Sequence, residues 1–284
     1  MNSRKLILIT LGALLLVGFG GRAVYHGYKY EETDNARTAA HSSVLSTKVG
    51  GVINEILVRE NQEVKEGDVI LRLDKRDYEI SLNRIEADMK SIQVKLQDAD
   101  RNYRRMKNLL ASDTVSRQTY ETAETQYLDL VRQDESLKTQ VAQAKLNLEH
   151  TELRAPTNGR VGRRNIEKGV VIGPGQPLIA FVQSDEFWVV ANFKETQLQG
   201  IKIGQVVDVH VDAIGGHTFE GKVESFSPGS GATFAVIPAD NATGNFVKIV
   251  QRVPVKIVLD QVSIKGFEDR LVPGLSVVAK VLVH

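Results

Sequence analysis

The chain of 284 residues carries 36 basic and 35 acidic side chains, a formal net charge of +1, and no cysteine. This balance gives no electrostatic reason to expect a nucleic-acid partner. The missing thiols exclude disulfides, zinc–thiolate sites and cysteine nucleophiles, and they are compatible with an oxidising compartment. The length leaves room for more than one compact unit.

The N-terminus predicts a membrane segment. Arg4 and Lys5 precede an uncharged, largely apolar run from Leu6 to Gly21, which Arg22 ends. Positive residues before such a run stay in the cytoplasm and direct the remainder of the chain outward. A cleaved signal peptide and an uncleaved anchor are the two interpretations. No convincing small-x-small cleavage site follows the run, which favours the anchor, so residues 1–28 are assigned to a cytoplasmic tail and a transmembrane helix.

Two similar β-rich stretches follow. Residues 29–46 are polar and extended, and we predict that this segment joins the β-barrel formed further along the chain. Residues 47–75 then contain short apolar strands separated by glycines and turn residues. A similar stretch returns at residues 152–185, and a shift of 108 positions aligns the two without gaps. Such a repeat predicts two half-domains that bury their apolar faces only together; chance similarity of two Gly/Val-rich segments is the alternative. The glycines expected in equivalent turns are Gly51 with Gly159 and Gly67 with Gly175.

Residues 76–151, between the two stretches, predict a helical hairpin. In two runs, apolar residues recur at alternating steps of three and four, which is the heptad pattern of a coiled coil. Neither Gly nor Pro occurs between Asp74 and Arg154, and the polar break at about residues 110–117 is too short for a linker. Two antiparallel arms, each roughly 45–50 Å long, are therefore expected. Asp134 is the one charged residue in either seam.

The C-terminal region, residues 186–284, predicts antiparallel β-structure. Apolar residues there alternate with polar ones at every second position, and turn residues interrupt them regularly. This pattern indicates a small barrel or sandwich. The fold class predicted for the whole chain is therefore an elongated α+β protein: an N-terminal membrane helix, a split β domain with an inserted coiled-coil hairpin, and a β-barrel.

The sequence contains no pattern typical of catalysis, of a cofactor site or of a metal site. The six histidines are scattered. His210 and Asp212 share one strand face, but no third ligand accompanies them. No glycine-rich phosphate loop precedes a helix, and no carboxylate pair is set apart for acid–base work. We therefore predict a protein that is not an enzyme and has no cofactor.

This order of segments resembles the periplasmic adaptor proteins, the membrane fusion proteins of the HlyD family, along essentially the whole chain. The resemblance implies that residues 47–75 and 152–185 are the halves of a lipoyl-like domain. Several short motifs are similar to the EmrA-like branch, whose adaptors serve a major-facilitator multidrug transporter. These motifs are Thr33–Ala36, Asn192–Glu195, Pro228–Phe234, Asn241–Phe246 and Gln251–Val255.

The hairpin tip carries a second resemblance. Adaptors that dock on a TolC-like outer-membrane channel show an Arg, a Leu four residues later and a Ser seven beyond; here these are Arg105, Leu109 and Ser116. The seam uses Met106 and Leu110, so Arg105 and Leu109 lie off it on one face. A contact with the channel is therefore expected for all three residues. Ser116 is also well placed as a helix N-cap.

The resemblance implies an adaptor in the bacterial inner membrane, with one membrane span and most of the chain in the periplasm. It would link the transporter to the TolC-like channel in antibiotic resistance, as a homo-oligomer of three or six copies. Two alternatives are an adaptor of type I protein secretion, working with an ABC exporter, and an envelope tether without transport. A lipoyl or biotinyl carrier is disfavoured, because the nearest lysine, Lys75, opens a long helix instead of a tight turn.

Overall fold

The computed structural model describes residues 29–231, 233 and 250–283. The predicted anchor at residues 1–28 and most of the loop around residues 232–249 lie outside the described residues. Among the described residues, no helix has the length and apolar character needed to cross a membrane. The described chain divides into two units, one formed by residues 42–182 and the other by the residues before and after them.

Twelve strands and three helices make up the described chain. In order they are β1 (Tyr30–Leu45), β2 (Gly51–Ile56), β3 (Glu63–Val64), β4 (Val69–Leu73), α1 (Arg76–Ala111), α2 (Arg117–Glu149), β5 (Glu152–Arg154), β6 (Gly159–Arg164), β7 (Val171–Ile172), β8 (Ile179–Lys194), β9 (Val206–Val211), β10 (Phe219–Phe226), β11 (Arg252–Leu259), α3 (Gln261–Ile264) and β12 (Ser276–Leu282).

The 42–182 unit contains the split β domain. One of its sheets has the strand order β5-β4-β2-β7, while β3 pairs with β6, and β6 pairs with the start of β8. The core between the strands draws on both halves of the repeat, as predicted for half-domains that cannot bury their apolar faces alone. Its buried residues are Ile53, Val58, Val64, Ile70, Leu71, Leu73, Ala155, Val161, Ile166, Ile172, Leu178, Ile179 and Phe181.

The strand pairings confirm the predicted shift of 108. Strand β2 pairs with β7 through Gly51 and Ile172, and β6 pairs with β3 through Gly159 and Val64. A shift of 108 positions carries Gly51 onto Gly159 and Val64 onto Ile172, so the two pairs are equivalent. The turns before β4 and β8 also match. There Gly67 and Gly175 adopt positive φ angles of 84° and 74°, a backbone conformation that favours glycine.

The expectation of turns at the other two glycines is wrong. Gly51 and Gly159 are the first residues of β2 and β6, so both lie in strands. Neither has a positive φ. The physical reason for a glycine differs between them: a Cβ on Gly159 would lie 2.4 Å from the Val182 carbonyl oxygen, whereas one on Gly51 would meet the Leu73 side chain only at 3.6 Å. Close packing explains the first glycine and leaves the second without a steric requirement.

The second unit is a closed antiparallel barrel. Its strand order is β1-β12-β9-β10-β11-β8, and a further pairing of β1 with β8 closes the sheet. Strand β1 reaches β12 through the pair Tyr30 and Leu282, and the buried Thr38 donates from Oγ1 to the Val272 carbonyl at 2.6 Å. The inward positions of β8 and β9 are buried at every second residue. The predicted fold class is thus confirmed for the described residues: a split β domain, a helical hairpin and a β-barrel.

Candidate functional site

The hairpin between the two β halves is the candidate functional site. Helices α1 and α2 lie antiparallel, and the apolar positions of the predicted heptads are buried or half-buried along both. Three of the buried seam positions are alanines, whose small side chains let the helices approach closely there. The buried seam positions are Ala99, Ala123, Leu130, Asp134, Val141 and Ala144. The base is attached to the β domain, where Tyr78 donates from its hydroxyl to the Gly50 carbonyl at 2.7 Å.

The charged residue of the seam is paired. Asp134 is only 6% exposed, and its carboxylate lies 2.7 Å from the Lys138 ammonium, one turn along the same helix. This ammonium holds the pKa of the Asp134 carboxyl below its ordinary value. A buried carboxylate destabilises a coiled coil unless it is paired. Lys138 pairs with the Oδ2 atom of Asp134, whereas the Oδ1 atom is buried without a hydrogen-bond partner among the described residues, so the compensation is partial.

An aromatic layer lies in the seam below the tip. The Tyr103 ring stacks on Tyr127 at a centroid distance of 5.2 Å, and its hydroxyl lies 3.4 Å from that of Tyr120. Tyr120 in turn donates to Glu124 at 2.9 Å. The contacts with Tyr103 and Glu124 raise the pKa of Tyr120 above its usual range. Sequence analysis missed this cluster, although three tyrosines at neighbouring seam positions on two arms were a usable signal.

The turn at the tip is built by local hydrogen bonds. The Thr114 amide donates to the Leu109 carbonyl at 2.9 Å, and Asp113 adopts a φ of 51°, which an Asp side chain tolerates better than most. Ser116 then begins α2 as its N-cap, accepting a hydrogen bond from the Thr119 amide at 3.2 Å. The predicted capping role of Ser116 is confirmed.

The three predicted contact residues lie on the last turns of the hairpin. Arg105 is exposed, and its guanidinium donates to the Asn102 side chain at 3.0 Å. Leu109 is half-buried, because it is one residue from the seam position Leu110, while Ser116 is exposed on the other side of the turn. The side chain of Arg105 is thus held by one neighbour on its own helix and is otherwise directed to solvent, where its positive charge is available to a partner.

Other parts of the described chain offer little chemistry. Over residues 29–231, 233 and 250–283, no group of three His, Cys, Asp or Glu side chains could hold a metal ion. His210 uses its Nδ1 atom in a contact with the Thr218 hydroxyl at 3.2 Å, and Asp212 follows at the end of the strand. The hairpin surface and its tip therefore remain the features with a functional geometry.

Comparisons with known proteins cover both units. A family model described as "RND MFP, barrel-sandwich hybrid domain" matches residues 42–184, and one described as "AAEA-like beta-barrel domain" matches residues 186–283. The colistin resistance protein EmrA of Acinetobacter baumannii is 33% identical, over 99% of this chain and 95% of its own. The multidrug export protein EmrA of Escherichia coli is 30% identical, over 89% and 76%.

Solved structures share the fold. The structure titled as that of the periplasmic adaptor protein EmrA aligns with a TM-score of 0.51 at 22% identity, over 90% of this chain and 99% of that one. The membrane fusion protein Spr0693 of Streptococcus pneumoniae aligns with a TM-score of 0.64 at 14% identity, over 89% and 97%. At these identities the likeness concerns the fold alone.

Proposed function

Because the chain belongs to the EmrA-like membrane fusion proteins, we propose that it is the periplasmic adaptor of a multidrug efflux system. In this proposal the chain links an inner-membrane transporter of the major-facilitator type to a TolC-like outer-membrane channel. It carries no catalysis. It is held in the inner membrane by the apolar run of residues 6–21, and several copies, three or six, surround the path of the exported compound.

The observation that carries the proposal is the hairpin, whose folding contacts leave its tip available. Helices of 36 and 33 residues give a rod of about 50 Å at 1.5 Å per residue. The seam contacts lie between the two arms, and the tip turn is closed by its own hydrogen bonds. A rod of this kind suits a protein that must bridge a gap between two partners, and an enzyme core has little use for it.

The position of Arg105 suits a docking role, because folding depends little on this residue. Arg105 is exposed and lies outside the seam, and a surface residue of this kind alters stability by less than about 0.5 kcal/mol when it is changed. At the centre of a protein interface, an Arg contributes roughly 2 kcal/mol or more. Leu109 adds half-buried apolar surface one turn further on. Docking and folding can therefore be separated by substitution at these two positions.

The test is the charge reversal Arg105→Asp in the full chain, with Leu109→Ser as a second tip variant. We expect both to abolish drug export and cross-linking to the outer-membrane channel, while protein level, membrane location and helical content stay normal. Arg105→Ala should be milder, since it removes the charge without creating repulsion.

Arg104→Asp is the matched control, because Arg104 is the adjacent residue and is also exposed, but points about 100° away around the helix. Its pairing with Asp100 is an exposed i, i+4 contact that contributes little. Normal export by Arg105→Asp at normal protein level would show that the tip is not the docking surface. Loss of export by Arg104→Asp alone would place the contact on another face.

A further inference from the structure

One end of the barrel is joined directly to the predicted membrane segment. Strands β1, β9 and β11 begin at this end, and β8 and β12 finish there. Only residues 22–28 separate the apolar run 6–21 from Lys29, the residue before β1. An extended chain spans at most about 3.6 Å per residue, so this connection covers no more than roughly 30 Å. With the run anchored as proposed, this end of the barrel lies near the bilayer.

The end that receives this connection is basic. The charged side chains at its rim and in its β8–β9 loop are four basic and two acidic ones, a net charge of +2. They are Lys29, Lys194, Lys202, Arg252, Glu31 and Glu195. The loops at the opposite end, residues 212–218 and 260–275, carry four acidic and two basic side chains, a net charge of −2 with histidine neutral. The barrel is therefore polarised, and its positive end is the one that would meet anionic lipid.

Three basic side chains of this rim have no acidic partner. Lys194, Lys202 and Arg252 are exposed and form no ion pair with any other residue that the structure describes. Lys194 and Arg252 even lie directly opposite each other across β8 and β11, and like charges in that arrangement destabilise a sheet. Further along the barrel wall, Lys256 and Lys280 do pair with glutamates, at 2.6 and 3.3 Å. The unpaired rim indicates an anionic partner outside the chain.

Aliphatic side chains project from the same rim. Ile203, Val206 and Val250 are 66%, 43% and 47% exposed. Tyr30, at the start of β1, is half-buried beside them, and tyrosine is enriched at the membrane interface. Basic side chains around exposed aliphatic ones are the composition of surfaces that lie in the headgroup layer, where the charges meet anionic headgroups and the apolar groups reach the acyl boundary.

The loop that presents Ile203 is held in place. Ile201, two residues earlier, is buried at 5% exposure. The Gln205 side chain accepts a hydrogen bond from the Lys202 amide at 2.7 Å and donates one to the Gly200 carbonyl at 3.1 Å. The loop thus buries one isoleucine and keeps the other in the open, so the exposure of Ile203 is part of the folded loop.

From these observations we infer that this basic end of the barrel binds the bilayer surface. Lys194, Lys202 and Arg252 contact anionic phospholipid headgroups, and Ile203 and Val250 enter the interfacial layer. The contact is weak by itself, but the anchor holds it at a high local concentration of headgroups. The inference rests on the anchor of the proposed function and deepens that function, because a second lipid contact fixes the orientation of the barrel on the membrane.

The absence of cysteine from the sequence allows a single fluorophore to be placed in the full chain. Ile203→Cys carries a nitrobenzoxadiazole label, and the purified chain is reconstituted without any transporter. The vesicles contain phosphatidylcholine with or without phosphatidylglycerol, and lipids with a quencher near the headgroup report proximity. Val262→Cys is the matched control, because Val262 is 80% exposed but lies in α3, at the opposite end of the barrel.

We expect the label at position 203 to be quenched several-fold more than the label at 262 in vesicles with phosphatidylglycerol. The excess should fall in high salt and in phosphatidylcholine alone, because screening weakens exposed charges. Lys194→Glu with Lys202→Glu should remove the excess, whereas Lys265→Glu, at the opposite end, should not.

Three results would overturn the inference. Equal quenching at 203 and 262 would show that this end does not touch lipid. Excess quenching that ignores both phosphatidylglycerol and the charge reversals would exclude recognition of anionic headgroups. Excess quenching that appears only after a transporter is added would assign the surface to a protein partner.

An alkaline wash of the same vesicles separates this inference from the proposed function. A chain that stays bound after the wash but shows no excess quenching at 203 would overturn the inference and leave the anchor standing. A chain that the wash removes would overturn the anchor and the inference with it. The tip variant Arg105→Asp should keep the excess quenching while export is lost, so a failure of the docking proposal gives a different result.

Discussion

The two halves of the β domain have equivalent backbone hydrogen bonds and equivalent buried residues. They differ on their flanks, which are the outward-facing sides of the strand pairs β2–β7 and β3–β6. In the first half the Ile53 amide donates to the Val170 carbonyl at 2.9 Å, and in the second the Val161 amide donates to the Gln62 carbonyl at 2.9 Å, each residue displaced by 108. The inward residues also correspond, since Ile53 and Val161 are both buried. The repeated hydrogen bonds and the shared core define one pseudo-symmetric unit.

The equivalent outward positions have different chemistry. Val52 pairs with Val171 across the β2–β7 strands, and the two are 40% and 72% exposed. The residues displaced by 108 are Glu63 and Arg160, which form an ion pair at 2.6 Å across β3 and β6. Folding requires the same hydrogen bonds and the same inward residues in both halves, but it leaves the outward residues open to diverge, so one flank is apolar and the other charged.

The largest effect is expected from the shared core. Ile70 and Leu178 are equivalent under the repeat, and they are 0% and 1% exposed. Ile70→Ala and Leu178→Ala should each lower the free energy of unfolding by about 2–5 kcal/mol, because each removes buried methylenes and leaves a cavity. Hydrogen exchange at the strand amides of the β domain, in the full chain, measures the loss of stability in each of the two variants. A loss confined to the half that carries the substitution would show that the halves do not fold as one unit.

Substitution of the glycine that begins β2 and of the one that begins β6 should affect stability differently in the two halves. Gly159→Ala should destabilise the domain by about 1–3 kcal/mol, since the added Cβ is forced against the Val182 backbone and the Phe181 ring. Gly51→Ala is the matched control, because its Cβ meets only Leu73 at ordinary contact distance. The control should be neutral or stabilising by about 0.4–1 kcal/mol, as expected where an alanine fits the backbone. Urea unfolding compares the two variants, and equal losses would contradict the packing difference.

The smallest effect should come from the flanks. The double substitution Val52→Arg with Val171→Glu copies the ion pair of the second half onto the first. Exposed ion pairs contribute about 0–1 kcal/mol, so the free energy of unfolding should change by less than about 1 kcal/mol. The same urea transitions measure it, with the single Val171→Glu variant as control. A loss above about 2 kcal/mol would show that the valine flank belongs to the core and is not a variable surface.

Sequence analysis predicted the elements whose signal is local. Heptad spacing and the absence of Gly and Pro defined the hairpin, because helical periodicity is visible within a few residues. The 108-residue shift defined the split domain, because an internal repeat is visible when the sequence is compared with itself. The same reasoning identified Ser116 as a cap. It was wrong about turns at Gly51 and Gly159, since a strand glycine can be required by a neighbour distant in sequence. The docking role of Arg105, Leu109 and Ser116 stays a prediction.

By itself, the sequence determined the order of the units, the pairing of the two halves and the register of each helical arm. The sequence also predicted that residues 29–46 join the barrel, but tertiary structure alone decided that β1 closes it between β12 and β8. Tertiary structure likewise decided the stacking of Tyr103 on Tyr127 and the close packing that requires a glycine at 159. The physical reason is range. Helical and strand periodicity depends on neighbours a few residues apart, whereas these three features depend on which distant side chains and strands share one space.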